Sequence, residues 1–297
     1  MPSLSVVIVN YRTSGLLSGL LPRLPDSANV IVVDNYSSEE ERRAIEQVCE
    51  GRASLIPLSE NSGFAGGVNA GVVEAREGDW ILLLNPDVDL EASDVDALVV
   101  AAERYDLDVS APAILMSEEG TIWFYGGDVV TWSGVVRHRY WARDLDEVRV
   151  AGPLLCDFIS GCVMLLGPRA RNLLPMRADL FMYWEDVEFS LRARREGLRL
   201  GVVSDVVVSH EGGHSSGSGR SNLLQFYQAR NRLLLGRTSE VLSTWGVLLT
   251  TPIWYVGRVL RIVRHCPAGT RAERVTALTR GVLAGLKGTA RDDQGAG

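Results

Sequence analysis

Hydrophobic positions in the first 90 residues fall into short uninterrupted runs separated by more polar, helix-forming stretches. Residues 4–9 (LSVVIV) and 29–33 (NVIVV) are rich in β-branched side chains and lack polar alternation. Both are predicted as strands buried on two faces of a parallel sheet. Residues 16–24 lie between them as a crossover helix. Residues 53–58 and 80–84 (WILLL) are two further strands, bracketing a helix that starts after the glycine-rich stretch 61–67. Repeated strand–helix–strand units point to a doubly wound α/β sheet with a nucleotide-binding half.

Further along, a helix begins at Ser93 or Asp94 and runs towards Tyr105. Residues 109–166 are less regular and end in a strand pair closing over 158–166. A helix is predicted over 185–196 and a strand over 206–209. Beyond the small-residue loop 212–219 the pattern is wholly helical. The expected organisation is an α/β domain over 1–219, divided into a nucleotide-binding half (1–105) and a second half (106–219), to which the family resemblance below gives the acceptor. A helical segment, 220–297, follows it.

Composition is ordinary for a globular protein with a substantial core, at 46% hydrophobic and 23% charged residues. Cys49, Cys156, Cys162 and Cys266 lie far apart and form no CxxC, so they read as ordinary thiols rather than a zinc cage or disulfide framework. The net charge of −7 hides an asymmetry: residues 220–297 carry 12 Lys+Arg against 4 Asp+Glu, and residues 1–219 carry 18 against 33. Nucleic acid and anionic lipid both attract basic segments. Here Trp245, Trp254 and Tyr255 sit among Val, Leu and Ile, and Arg258, Arg261 and Arg264 follow at spacings of three. That is the pattern of an interfacial helix, so an anionic membrane surface is expected and nucleic acid is not. Residues 241–257 are free of charge, but their serines, threonines and Pro252 make a poor bilayer span. With no basic, apolar leader at the start, the expected location is cytoplasmic, peripheral on the inner face of the cell membrane. The terminal helices could also form a homodimer face.

Ligands of open α/β sheets bind beyond the carboxyl ends of the strands. Three strand ends carry polar clusters: Asn10-Tyr11-Arg12-Thr13, Asp34-Asn35-Tyr36-Ser37, and Asn85-Pro86-Asp87-Val88-Asp89. The segment NSGFAGGVNAG, with Asn61, Gly63, Gly66, Gly67 and Asn69, has neither dinucleotide-fingerprint nor P-loop spacing. Its glycines still permit close approach of backbone to a ligand or to a packed strand. Asp87 and Asp89, two apart, would face the same side of an extended chain and offer oxygen ligands to Mg or Mn. Helix capping is the competing explanation. Glu185 and Asp186 open a helix after the aromatic run Phe181-Met182-Tyr183-Trp184, where the helix dipole favours carboxylates and partial desolvation would make one a base. His210 ends a predicted strand and is a possible third metal ligand. The loop 212–219, with His214, Ser215 and Ser216, has the composition of a lid or of a simple connector.

In order and spacing, VVIVNYRT, VVDNYSS, NSGFAGGVNAG, LLLNPDVDL, FISGCVMLL, FMYWEDVEFSLRARREG and SHEGGHSS resemble family 2 of the inverting GT-A glycosyltransferases. The chain is most similar to the bacterial rhamnosyltransferases of cell-wall, O-antigen and capsule assembly, while WED also resembles galactofuranosyltransferases. The resemblance implies the GT-A fold, a nucleotide diphosphate sugar donor such as dTDP-rhamnose, and a divalent cation. It also implies a glycan or polyprenyl diphosphate-linked acceptor. Asp34 would meet the nucleoside, and Asn61 with the 63–67 loop would line the donor site, Asn69 nearby. Asp87 matches the last carboxylate of the DxD motif, whose first position is here Asn85. The implied metal set is therefore Asp87, Asp89 and His210. Asp186 falls at the family's general base, and Glu185 or Trp184 would touch the acceptor. Arg230 and Arg232 in YQARNR would meet an acceptor phosphate. Two other readings are a catalytically silent sugar-nucleotide-binding module and a nucleotidyltransferase. The latter class usually puts its glycines after the first strand, not the third.

Overall fold

The computed structural model describes residues 2–117, 119–211 and 222–288. Its first half follows the hydrophobic runs. Strands β1 (Leu4–Asn10), β2 (Asn29–Asp34), β3 (Ser54–Pro57) and β4 (Trp80–Leu84) pair in parallel in the order β3-β2-β1-β4. Val6, Val7, Ile8, Ile31, Val32 and Leu83 have no exposed surface, which is why their runs carry no polar alternation. Helices α1 (Ser14–Leu20), α2 (Glu39–Cys49) and α3 (Gly63–Val73) make the crossovers. The first is shorter than its sequence pattern because Pro22 ends the α-helix in a short 3₁₀ turn. Two glycines of α3 face the sheet: a Cβ on Gly67 would lie 2.6 Å from Val9 Cγ1, and one on Gly71 would overlap Val7. Small residues there let the helix lie close on β1.

The irregular middle resolves into more strands than its sequence pattern indicates. After β5 (Val88–Asp89) and α4 (Ala92–Arg104) come β6 (Val109–Met116), β7 (Ile122–Phe124) and a separate hairpin of β8 (Gly127–Val130) and β9 (Val135–His138). Next are β10 (Pro153–Leu155), β11 (Val163–Leu166), the single turn α5 (Pro168–Arg171), α6 (Glu185–Arg195) and β12 (Leu200–His210). The large sheet continues β4-β11-β6-β12-β10, with β11 antiparallel to both neighbours and β12 parallel to β6. The product is a mostly parallel sheet flanked by helices, as expected of an α/β GT-A chain.

Helices α7 (Asn222–Thr238), α8 (Thr244–His265) and α9 (Arg271–Lys287) complete the described chain. Of these, α7 is the innermost: Leu233, Leu234 and Leu235 belong to the same core as the sheet. On α9, Gly281 and Gly285 sit against the backbone of Phe226 and Arg230, where any Cβ would collide. This small-residue seam sets the α7–α9 spacing. Helix α8 lies outside, tied to α7 by the buried Arg232. That guanidinium donates to the carbonyls of Ser133 and Gly134 and to the hydroxyls of Thr250 and Thr251, and stacks 5.0 Å from the Trp254 ring. All four cysteines are buried free thiols.

Candidate active site at the carboxyl ends of the strands

Asp87 and His210 are brought together by strand pairing. The chain turns at Pro86–Asp87, and β5 then runs antiparallel to the end of β12, with Val88 opposite His210 and the Glu211 N–H donating to the Asp87 carbonyl at 3.0 Å. Asp87 Oδ1 lies 3.1 Å from His210 Nε2, and both side chains are buried. The separation is short, yet the ring N–H does not line up with the carboxylate. Asp87 Oδ1 and both His210 nitrogens are therefore without hydrogen bonds among the described residues. Buried polar atoms left in this state carry a desolvation cost of about 1–3 kcal/mol each. A hard carboxylate oxygen and an imidazole nitrogen converging on one point fit a divalent cation that takes its other ligands from water and phosphate. Among the described residues no group of three or more His, Cys, Asp or Glu forms a closed cage.

Asp89 does not join this pair. The turn breaks the extended geometry that would put Asp87 and Asp89 on one side, so the Asp89 carboxylate is exposed and sits 2.5 Å from Arg23. The expected ligand set shrinks to Asp87 and His210.

The second pair of carboxylates opens α6. Phe181, Tyr183 and Trp184 all have φ between 62° and 79°, a left-handed conformation costly for non-glycine residues. That bend delivers Glu185 and Asp186 to the first helical turn. Asp186 Oδ2 accepts from the Gly161 N–H at 3.1 Å and Oδ1 from the Val187 N–H at 2.7 Å. Burial raises the Asp186 pKa, and those two amides and nearby His138 oppose the rise. Glu185 is more deeply buried, its Oε2 without a hydrogen bond among the described residues. Burial first, then the Asp186 charge, push it up to about 8.

The two pairs meet at residues 160–162. Gly161 binds Asp186, the Cys162 carbonyl accepts from the Asn85 N–H at 2.8 Å, and the Cys162 thiol is pushed well up by burial and then by the charges of Asp87 and Asp186. A Cβ at Gly161 would press tightly on the Phe64 ring, at 3.0 Å.

On the rim, Asn10 and Asp34 end adjacent strands in register. Asp34 is buried and held by Arg42 Nε at 2.7 Å, while Tyr11 is half-buried under the Arg12 guanidinium. Asn61 Oδ1 accepts from Gly63 N–H and from Asn35, which in turn receives Ser62 N–H. Asn35 is thus the hinge pin of the glycine loop, a part its routine turn context in the sequence did not single out. Gly63, at φ 77°, lets the Phe64 N–H reach the Phe181 carbonyl at 2.7 Å. Gly66 packs over Ser62.

Several expected contacts are structural instead. Asn10 is fully buried, bonded to Thr13 and Glu41. Gly67 is a packing glycine against Val9. Asn69 clamps both backbone groups of Met176 at 2.8 Å. Trp184 is a core side chain with no open face for an acceptor. Arg232 has no exposed surface and its donors are engaged by α8 and the 133–134 turn. Arg230 is equally buried, donating to the Asp179 carbonyl and to Asn231. Neither arginine is open to an acceptor phosphate. The YQARNR motif alone does not reveal that α7 is an interior helix. Loop 212–219 lies outside the described residues.

Sequence reasoning also missed an aromatic wall. The Trp123 ring lies 4.6 Å from His210 and 5.4 Å from His138, and Trp141 lies 5.7 Å from His138. Trp141 is half exposed between Tyr140 and Ala142, both at positive φ. Its only local sign was an aromatic-rich, irregular middle segment.

The architecture is the GT-A fold, with a buried carboxylate–imidazole pair at its strand ends and a desolvated carboxylate pair opening α6 beside them. Residues 5–165 match Glycosyl transferase family 2, more than half the chain, and the protein belongs to that family. It is 26% identical over 248 residues to a low-salt glycan biosynthesis hexosyltransferase of Haloferax volcanii, covering 79% of this chain and 75% of the relative. It is 23% identical over 239 residues to an N-acetylglucosaminyl-diphospho-decaprenol L-rhamnosyltransferase of Mycobacterium tuberculosis, covering 72% and 78%. Identity to the rhamnosyltransferase WbbL of Escherichia coli is 23% over 268 residues, covering 80% and 97%. Among solved structures, GalNAc-T7 with UDP, GalNAc and Mn2+ superposes with a TM-score of 0.60 at 16% identity; 95% of this chain covers 55% of that one. The mannosyltransferase PcManGT of Pyrobaculum calidifontis, with GDP-Man and Mn2+, gives 0.59 at 12% identity, covering 96% and 87%.

Proposed function

We propose that this protein is an inverting glycosyltransferase that moves L-rhamnose from dTDP-rhamnose to a hydroxyl of a glycan or polyprenyl diphosphate-linked saccharide. The observation that carries the reading is the meeting of the Asp87–His210 pair and the Asp186 carboxylate at residues 160–162. Asp186 takes the proton of the acceptor hydroxyl as that oxygen attacks the anomeric carbon from the side opposite the diphosphate, inverting configuration. The Asn35-pinned glycine loop and Asp34 hold the donor. Glu185, protonated at neutral pH, keeps a second negative charge away from Asp186. Asp87 and His210 are the residues that would hold Mg or Mn, which when bound neutralises charge on the departing nucleoside diphosphate.

Rhamnose is supported by the two rhamnosyltransferase relatives, one of them named for a diphospho-decaprenol acceptor. A hexose donor is the second reading, favoured by the Haloferax hexosyltransferase. Thermal-shift titration with dTDP-rhamnose, UDP-galactofuranose, UDP-glucose and GDP-mannose, each with Mg or Mn, separates them. At 100-fold excess over Kd a true donor adds about 2.7 kcal/mol, a rise of several degrees. The largest rise is expected for dTDP-rhamnose. A larger rise with a UDP- or GDP-sugar transfers the reading to hexose, and binding without any turnover makes the chain a silent binding module.

The same reading puts the protein at the inner face of the cell membrane. Helix α8 is long and apolar enough by length and composition to cross a bilayer, with a mean hydropathy of 1.2. Trp245, Leu249, Ile253, Val256, Leu260 and Val263 are exposed at spacings of three or four, forming one apolar stripe beside exposed Arg261 and Arg264. An apolar stripe with cations at its end suits an anionic lipid surface better than a span, since the opposite face is packed on α7. Ile253→Asp with Leu260→Asp should abolish flotation on phosphatidylcholine vesicles doped with phosphatidylglycerol while leaving the fold intact, because both sites are exposed. Flotation unchanged by the substitutions excludes the stripe as the lipid contact. A shift from dimer to monomer on light scattering, without any vesicle binding, would instead make it a homodimer face.

A further inference from the structure

The bend that carries Glu185 and Asp186 is strained at three non-glycine residues, so something outside it must hold it. Its carbonyls show what does. The Phe181 carbonyl accepts from Phe64 N–H. The carbonyls of Leu180, Met182 and Tyr183 all accept from one group, the side-chain amide of Asn231, at 2.9, 2.9 and 2.7 Å. Asn231 is fully buried in the middle of α7. Its own carbonyl oxygen receives Arg230 Nη1 at 2.7 Å, which also binds the Asp179 carbonyl. That bond fixes the amide orientation, turning both N–H groups towards the bend. The Phe181 ring also stacks on Tyr227, one turn earlier on α7, with centroids 5.2 Å apart.

Resting on the glycosyltransferase reading above, we propose that Asn231 is a positioning residue for catalysis. It clamps the 180–183 bend so that Asp186 faces the Gly161 N–H and the acceptor hydroxyl. The clamp lies on a helix of the C-terminal segment, so that segment is part of the catalytic apparatus as well as a membrane contact. In the sequence the only sign is the polar run QARNR in the middle of the helix, where asparagine is a poor helix former.

The test uses the full chain with Asn231→Ala, and Asn231→Ser as a milder variant should alanine fail to fold. Two measurements are made. Amide hydrogen exchange over residues 181–187 should quicken roughly tenfold or more, because bonds to three carbonyls are lost, while exchange in β1 and β4 stays unchanged. With the donor that the parent enzyme turns over, kcat should fall roughly tenfold or more while donor KM and Mn-dependent nucleotide binding stay within about threefold. A role in stability alone would lower the melting temperature without that kcat-against-KM split. Unchanged exchange in 181–187 overturns the clamp, and unchanged kcat with faster exchange overturns its catalytic role. A parent enzyme that turns over no nucleotide sugar sinks the functional reading, and exchange still decides the clamp.

Discussion

Asp186→Asn is expected to cut turnover by roughly 10²–10⁴-fold, the range that a positioned general base supplies, with donor binding nearly unchanged. The substitution keeps the size of the side chain but leaves one acceptor oxygen for the two amides of Gly161 and Val187, so one of those bonds is lost while the Asn231 bonds to the carbonyls of residues 180, 182 and 183 still hold the bend. What it removes is the ability to take a proton. The pH profile carries the same signature. A base must be ionised to act, and burial raises the proton affinity of Asp186, so parent turnover falls as pH drops through that raised value. On the alkaline side Glu185 begins to ionise near pH 8, and a second charge beside Asp186 then disturbs the pair. The residual rate of the asparagine variant should lack the acid limb. An Asn variant with parent-like turnover, or one that keeps the acid limb, removes Asp186 from the role.

Asp87→Ala and His210→Ala should each lower turnover by roughly 10²–10³-fold and abolish the gain that Mn or Mg gives to nucleotide binding. The two side chains approach to 3.1 Å without a hydrogen bond, so neither holds the other in place by bonding. Asp89→Ala is the control: its carboxylate is exposed against Arg23, and exposed pairs contribute about 0–1 kcal/mol. Titration calorimetry of dTDP or UDP with and without Mn reads all three variants. Equal losses for Asp87→Ala and Asp89→Ala would contradict the corrected ligand pair. A chelator should reproduce the Asp87→Ala phenotype in the parent enzyme and leave that variant unaffected.

Much of the first half was legible along the chain because its information is local. Runs such as LSVVIV and WILLL are buried on two faces wherever they sit, and the sheet simply pairs them in parallel. The glycines of NSGFAGG announce a close approach, although whether each serves ligand or packing depends on the neighbour: Phe181 for Gly63, Val9 for Gly67. Position in sequence also marked Asp186 and Asp87 as carboxylates at element ends. The site pattern failed where it assumed the backbone shape. Period-two reasoning joined Asp87 to Asp89, but the turn at Pro86–Asp87 is not extended, so the two point to different partners.

Sequence by itself therefore determined the four parallel strands of the first half and the strand and helix ends where acidic side chains collect, since these follow from short-range periodicity and side-chain type. Only the tertiary structure decided which of them meet. The β5–β12 pairing joins Asp87 to a histidine 123 positions away, and the burial of α7 makes Arg230 and Arg232, expected to meet an acceptor phosphate, and Asn231 between them into internal ties. Partner and burial are properties of contacts between distant segments, and no local pattern of residues encodes them.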